Sequence, residues 1–160
     1  MTAAFANLAP SILLGTLAIL VTVAAVTDFQ ARTIANRLNL AIALLAPFYW
    51  WSAGMPVWPD AAVQVGLAAV VFAGFALLFF LGGMGGGDVK LAAALALWFA
   101  PVELLRLLLV MSLVGAPITL AAWADQRRAG TPGRVKVPYG IAIAIGASAI
   151  LAERYLNQFG

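Results

Sequence analysis

Long apolar segments separated by short polar ones constrain the fold of this chain more than any other feature. The first of them, residues 8–26, is close to the about 20 residues that a helix needs to cross the hydrocarbon core of a bilayer. Hydrophobic residues make up 64% of the sequence and charged residues 9%, whereas soluble domains are about 45–50% apolar. Because so much apolar surface does not fit a soluble domain, we expect an all-α, polytopic membrane protein.

The segments predict about six transmembrane helices in a single integral-membrane domain over residues 1–160. The fourth segment has only twelve residues, about 18 Å of helix against a core of about 30 Å, so the loop before it is expected to dip into the membrane. Trp50, Trp51 and Trp58 indicate an aromatic belt at the membrane surface, and Asp60 is expected to cap the third helix. The predicted segments are residues 8–26, 38–51 (or up to 58), 61–81, 89–100 and 102–123, and one that follows residues 138–140 and ends near residue 156.

Basic residues are unevenly distributed between the two sides that these segments define. The loops after odd-numbered segments hold seven of the nine Lys and Arg residues, and only Arg106 and Arg154 lie on the opposite side. The positive-inside rule therefore predicts that both termini lie outside the cytoplasm. Since topology accounts for the net charge of +3, we expect the lipid bilayer, and no nucleic acid, as the surroundings of this chain.

A glycine-rich stretch before the fourth segment combines backbone freedom with charge. Five glycines occupy six positions between residues 82 and 87 and lead into Asp88. An aspartate beside hydrocarbon is costly, which suggests that it has a use. Because the first segment ends and the fourth begins on the cytoplasmic side, Asp28 and Asp88 are predicted to share one depth.

The residue inventory limits the chemistry that this chain can perform. It contains no cysteine and no histidine, which excludes disulfides, thiolate or histidine metal sites, and Ser-His or Cys-His catalysis. We expect no metal and no cofactor. Capping, solvation or ion pairing can explain the other four acids, so Asp28 and Asp88 remain. Of two close carboxyl groups one holds a proton, and such a pair can activate water and polarise a peptide carbonyl, as in an aspartyl protease.

Other roles for these two acids stay open on this reasoning. Asp28 could cap a helix or pair with Arg32, and Asp88 could cap the fourth helix or pair with Lys90. A small proton-coupled transporter could use both acids in a discontinuous helix. A non-catalytic assembly subunit would tolerate the loss of either acid.

Three short motifs resemble those of type IV prepilin peptidases. Residues 28–36 (DFQARTIAN) resemble the first aspartate motif of that family, residues 85–90 (GGGDVK) its Gly-x-Gly-Asp-x-Lys motif, and residues 137–140 (VPYG) a third patch before its last span. The resemblance implies an intramembrane aspartyl endopeptidase of a bacterial inner membrane, with Asp28 and Asp88 as catalytic residues. Its implied partners are prepilins or pseudopilins, from which it removes the basic leader peptide at the cytoplasmic membrane face.

The resemblance also implies which neighbours shape the site, and it has two departures. Ala35 stands where the family usually has proline, which loosens the turn after Asp28. The larger, bifunctional members carry a cytoplasmic insertion with paired cysteines and also methylate their product, so a chain without cysteine looks like the short, peptidase-only form of tight-adherence (Flp) pili. The residues expected to shape the site or contact the substrate are Gly85, Gly87, Lys90, Arg32, Asn36, Pro138 and Tyr139.

Overall fold

The computed structural model describes residues 8–129 and 139–159, which form helices joined by short connections. These residues contain no strand, so the all-α prediction is confirmed for them. The helices follow the six predicted segments in order. They are α1 (Leu8–Ala31), α2 (Asn36–Ser52), α3 (Ala62–Phe80), α4 (Gly86–Ala96), α5 (Pro101–Ala129) and α6 (Tyr139–Phe159), with a short π-helical turn (Val57–Ala61) before α3.

Four helical stretches among the described residues are long and apolar enough to cross a membrane. They are α1, the π-helical turn together with α3, and most of α5 and of α6. By contrast, α2 has 17 residues and α4 has 11, which corresponds to about 26 Å and 16 Å of helix against about 30 Å of hydrocarbon. The chain is therefore a multi-pass helical membrane protein, and the count of six spans stays a prediction.

The shortest helix, α4, is buried by its neighbours. It packs against α2, α3 and α6, and its side chains Leu91 and Leu95 are completely covered. On α3, by contrast, large apolar side chains such as Val70 and Phe80 are exposed, as expected of a surface that faces lipid. Because α4 is enclosed by protein, it does not have to match the thickness of the bilayer.

The helices form two groups. In the first group α2 and α3 pack on α4, and in the second α1 and α5 pack on α6. Two buried or half-buried indoles hold the first group together: Trp50 Nε1 donates to the Leu97 carbonyl at 2.9 Å, and Trp98 Nε1 donates to the Ile42 carbonyl at 2.9 Å. The groups meet where α1 packs on α2 and where α4 packs on α6.

A break separates α4 from α5, as the predicted segments 89–100 and 102–123 indicate. Pro101 is the first residue of α5, and Glu103 accepts a hydrogen bond from the backbone N–H of Ala100 at 2.8 Å. Glu103 also forms an ion pair with Arg154 of α6. A second, more exposed ion pair joins the same two helices. These contacts fix α5 against the C-terminal part of α6.

Two predictions for the turn before α3 need correction. Trp58 has an extended backbone (φ −126°, ψ 131°), so the helical turn begins at Pro59 and Asp60 lies within it rather than at the N-cap. Asp60 therefore faces the positive end of the helix dipole without capping the helix. Trp51 and Trp58 are 84% and 80% exposed, as expected of surface anchors, whereas the half-buried Trp50 is a structural residue that binds the end of α4.

Candidate active site

Asp28 ends a buried stripe on α1. The buried residues Leu14, Leu17, Val21, Ala24 and Asp28 recur at spacings of three and four, which places them on one helix face. Asp28 is only 4% exposed. Burying a carboxyl group is costly, so a stripe that is apolar for three turns and then carries an aspartate indicates a functional constraint.

Arg32 ends α1 next to Asp28. Its φ of 52° is left-handed, which is uncommon for a residue other than glycine, and its backbone N–H donates to the Asp28 carbonyl at 2.8 Å. The positive charge of its side chain acts on the Asp28 carboxyl group. Arg32 thus turns the chain toward α2 and supplies positive charge near the buried acid.

Asp88 lies in the first turn of α4 and is 5% exposed. Gly85 is the N-cap residue of this helix, and a Cβ built on it would lie 2.7 Å from Asp88 Oδ2. The carboxyl group therefore folds back over the helix N-terminus, where the helix dipole favours negative charge. Gly87 is also tightly placed, because a Cβ built on it would lie 3.2 Å from Ile34 Cβ. A side chain at either predicted glycine would therefore force its neighbour to shift.

The two acids meet at the first turn of α6. A Cβ built on Gly140 would lie 2.7 Å from Asp28 Oδ2 and 2.9 Å from Asp28 Cγ. The backbone amide of Gly140 faces the carboxyl groups of both Asp28 and Asp88, and the amide of Ile141 faces Asp28. Asp88 also experiences the charge of Asp28. The residues predicted to form a pair are thus neighbours, although they come from helices in different groups.

Burial and mutual repulsion determine the protonation of this pair. Asp88 lies outside the four long apolar helices, and burial, followed by the charge of Asp28, raises its pKa to about 7. The amides of Gly85 and Gly140 oppose this rise in pKa. Asp28 Oδ2 is buried and accepts no hydrogen bond within the described residues, although the Gly140 amide is nearby. The site therefore offers a proton donor beside an acceptor atom near neutral pH.

Comparison with known proteins identifies the family. The sequence model of the type IV leader peptidase family matches residues 15–120, which are 106 of the 160 residues. The chain belongs to the type IV leader peptidase family. The matched region contains Asp28 and Asp88 and ends before α6. No curated protein and no solved structure matches the chain significantly.

Membership of this family makes the chain a membrane peptidase, a hydrolase embedded in the bilayer by apolar helices. The resemblance to type IV prepilin peptidases is thereby confirmed at the level of the family, and the transporter alternative gains no support. Within the part of the chain that the structure describes, no group of three or more acidic side chains could hold a metal ion.

In this leader peptidase, Lys90 lies on another face of α4 than Asp88 and contacts Asn36, the first residue of α2. Lys90 Nζ donates to Asn36 Oδ1 at 2.8 Å. Successive helical residues are about 100° apart, so Lys90 points about 200° away from Asp88 around the helix. Both residues line a groove of about 450 Å³ between α2, α3 and α4, with apolar walls that include Leu40 and Phe72. Lys90 thus binds α2 rather than pairing with Asp88.

Asn39 is a residue near the site that sequence reasoning missed. It is 4% exposed, and its Nδ2 donates to the Gly87 carbonyl at 3.1 Å. This bond fixes the orientation of the amide and leaves Oδ1 buried without a partner in the described residues. Asn39 holds the turn that carries Asp88. A lone amide within the apolar sequence of α2, three residues after Asn36, is the signal that could have identified it.

The third motif is only partly within the described residues. Pro138 lies outside them. Tyr139 is the first residue of α6, and its hydroxyl group lies 3.0 Å from Thr119 Oγ1 on α5. Tyr139 therefore contacts α5, and it is the next residue, Gly140, that contacts Asp28. Thr119 was absent from the predicted site, and Gly140 entered the prediction only as the last residue of the third motif, because neither residue type indicates such a contact in a sequence.

Proposed function

We propose that this peptidase removes the basic leader peptide from Flp-type prepilins or pseudopilins at the cytoplasmic face of a bacterial inner membrane, with Asp28 and Asp88 as the catalytic pair. The observation that carries the proposal is the approach of both buried acids to the amide of Gly140. Membership of the leader peptidase family supplies the class of reaction. The resemblance of the three motifs to prepilin peptidases supplies the substrate.

The pair would hydrolyse the peptide bond by general acid–base catalysis. Asp28 accepts a proton from water, and the water oxygen attacks the peptide carbonyl carbon while Asp88 donates its proton to the carbonyl oxygen. The raised pKa of Asp88 suits the role of initial donor. As the tetrahedral intermediate collapses, the C–N bond breaks, Asp28 gives its proton to the leaving nitrogen, and Asp88 recovers a proton from the hydroxyl group. Both acids return to their starting state.

The peptidase-only form of the proposal rests on residue content. Methyl transfer in the larger family members accompanies an insertion with paired cysteines, and this sequence has no cysteine. We therefore propose leader removal without methylation of the new N-terminus. Incubation of the purified protein with prepilin and a methyl donor should give unmethylated product by mass spectrometry. A methylated product would contradict this part of the proposal alone.

Co-expression with a Flp-type prepilin tests the catalytic pair. Leader removal is followed on gels, and the new N-terminus is identified by mass spectrometry. Asp28→Asn and Asp88→Asn should each abolish cleavage, because an amide can neither accept the proton from water nor donate one. Both variants should still accumulate in membranes, since asparagine has nearly the shape of aspartate and removes a buried charge.

Asp60→Asn is the matched control. Asp60 is an exposed acid in the first turn before α3, so this equally conservative change should leave cleavage intact. Cleavage by Asp28→Asn at a rate near that of the wild type would show that the pair is wrong and that Asp88 has a different partner. Cleavage by both variants would refute the proposed function.

A further inference from the structure

Tyr139 makes two contacts with α5 immediately before the residue that faces the acids. Its ring lies against Gly115, where a built Cβ would be 2.9 Å from Cε1 and 3.1 Å from Cδ1 of the tyrosine. Its hydroxyl group lies 3.0 Å from Thr119 Oγ1. Gly115 and Thr119 are four residues apart and therefore share one face of α5. We call these three residues the tyrosine anchor.

The direction of the hydrogen bonds in the tyrosine anchor follows from the groups involved. Thr119 Oγ1 lies 2.7 Å from the backbone carbonyl oxygen of Gly115, which can only accept. The single proton of the threonine hydroxyl group therefore goes to that carbonyl oxygen. The Tyr139 hydroxyl group in turn donates to Thr119 Oγ1, so the phenol is bound in one defined orientation.

We infer that Gly115 and Thr119 are positioning residues of the active site: they hold Tyr139 and thereby place the amide of Gly140 against both acids. This inference rests on the proposed function. Gly140 follows Tyr139 directly in the chain and has no room to approach Asp28 more closely, because even a Cβ would lie 2.7 Å from Asp28 Oδ2. When the phenol is not anchored, α6 is free to shift away, and the amide then moves from the acids.

Two substitutions at Thr119 separate positioning from packing. Thr119→Val keeps the shape of the side chain and removes the hydroxyl group, whereas Thr119→Ser keeps the hydroxyl group and removes a methyl group. If Thr119 served only to fill space, valine would be tolerated better than serine. If it orients Tyr139, serine would be tolerated better than valine.

The experiment measures kcat and KM of the purified full-length protein on a synthetic peptide that carries a basic leader. Thr119→Val and Tyr139→Phe should each lower kcat about tenfold, with KM changed less than about twofold, because a positioning residue acts on the reacting groups rather than on substrate binding. Thr119→Ser should retain most of the activity. The double variant should be no worse than either single variant, since both remove the same hydrogen bond.

Thr22→Val is the matched control. Thr22 makes the same bond to the carbonyl four residues earlier, from Oγ1 to Ala18 at 2.8 Å, on an exposed face of α1. Loss of the Thr22 hydroxyl group should leave kcat unchanged. A kcat for Thr119→Val equal to that of Thr22→Val would overturn the inference, and so would lower activity for Thr119→Ser than for Thr119→Val.

The test also separates this inference from the proposed function. The variants Asp28→Asn and Asp88→Asn are measured in the same assay. If both are inactive while Thr119→Val and Tyr139→Phe cleave normally, the catalytic pair stands and only the tyrosine anchor is wrong. If the two aspartate variants cleave normally, the proposed function itself is wrong.

Discussion

Replacing Gly140 by alanine tests the geometry of the site most directly. The added methyl group would lie 2.7 Å from Asp28 Oδ2 and 2.9 Å from both Cβ and Cγ of Asp28. Carbon atoms in contact are normally about 3.5–4.0 Å apart, so α6 and α1 would have to separate by roughly 0.6–1 Å at this point. Asp28 Cβ is attached to the backbone of α1, and therefore side-chain rotation alone cannot relieve the clash.

Both activity and stability should respond to Gly140→Ala. A displacement of about 1 Å at reacting groups lowers the rate by about 10²-fold, and overpacking costs about 1–3 kcal/mol of the free energy of unfolding. Cleavage rates on a leader peptide and thermal unfolding followed by circular dichroism measure the two effects. Gly74→Ala is the control, because a Cβ built on this α3 glycine meets no heavy atom within 4 Å.

The Gly74→Ala control also shows in which direction a glycine-to-alanine change alone shifts stability. Alanine favours a helix interior over glycine by up to about 1 kcal/mol, so Gly74→Ala should keep full activity and melt at the same or a higher temperature. Normal cleavage by Gly140→Ala would refute the close approach of α6 to Asp28. If Gly140→Ala and Gly74→Ala lost activity equally, the loss in Gly140→Ala could not be assigned to its contact with Asp28.

Three further predictions concern protonation, the turn after α1 and topology. The pKa of Asp88 is raised from 3.8 to about 7, so the contribution of its protonated form to the free energy of unfolding is complete below pH 3.8 and is lost as the pH rises to about 7. The melting temperature should therefore fall between pH 3.8 and about 7 and level off above that range, and an equally steep fall in Asp88→Asn would contradict this. Ala35 has φ −63° and ψ 135°, angles that proline adopts. Ala35→Pro should therefore increase the free energy of unfolding, measured in thermal melts, by about 0.4–1 kcal/mol. A decrease would show that the turn cannot accept proline. Since the chain has no cysteine, single introduced cysteines can report its topology. In intact cells a membrane-impermeant thiol reagent should label Ala53→Cys and should not label Gln30→Cys. The reverse pattern would show that the chain has the opposite orientation.

The sequence predicted the order of the helices but not how far each one extends. Hydropathy indicated an end of the first segment at residue 26, yet α1 continues to Ala31 because Asp28 is held inside the protein against Gly140. Similarly, the glycine run was expected to form a loop, whereas Gly86 and Gly87 form the first turn of α4. Hydropathy reports which residues suit hydrocarbon, and neither a buried acid nor a helical glycine has that signature.

Contacts between distant parts of the chain explain most of what the sequence could not predict. The proximity of Asp28 and Asp88 could be predicted because the topology placed both acids at one depth. The bond from Asn39 to Gly87 and the pairing of Glu103 with Arg154 depend on how particular helix faces pack, which periodicity in one helix cannot show. Roles assigned to Arg32, Lys90 and Tyr139 from the motif resemblance likewise became specific only through their partners.

The division of the helices into two groups has a consequence for how activity could be controlled. Asp88 belongs to the group of α2, α3 and α4, and Asp28 to the group of α1, α5 and α6. The indole hydrogen bonds lie within the first group and the ion pairs between α5 and α6 within the second. A rigid rotation of one group against the other would therefore change the separation of the two carboxyl groups while leaving these bonds intact. The contact between the two carboxyl groups thus depends on how the two groups of helices pack against each other.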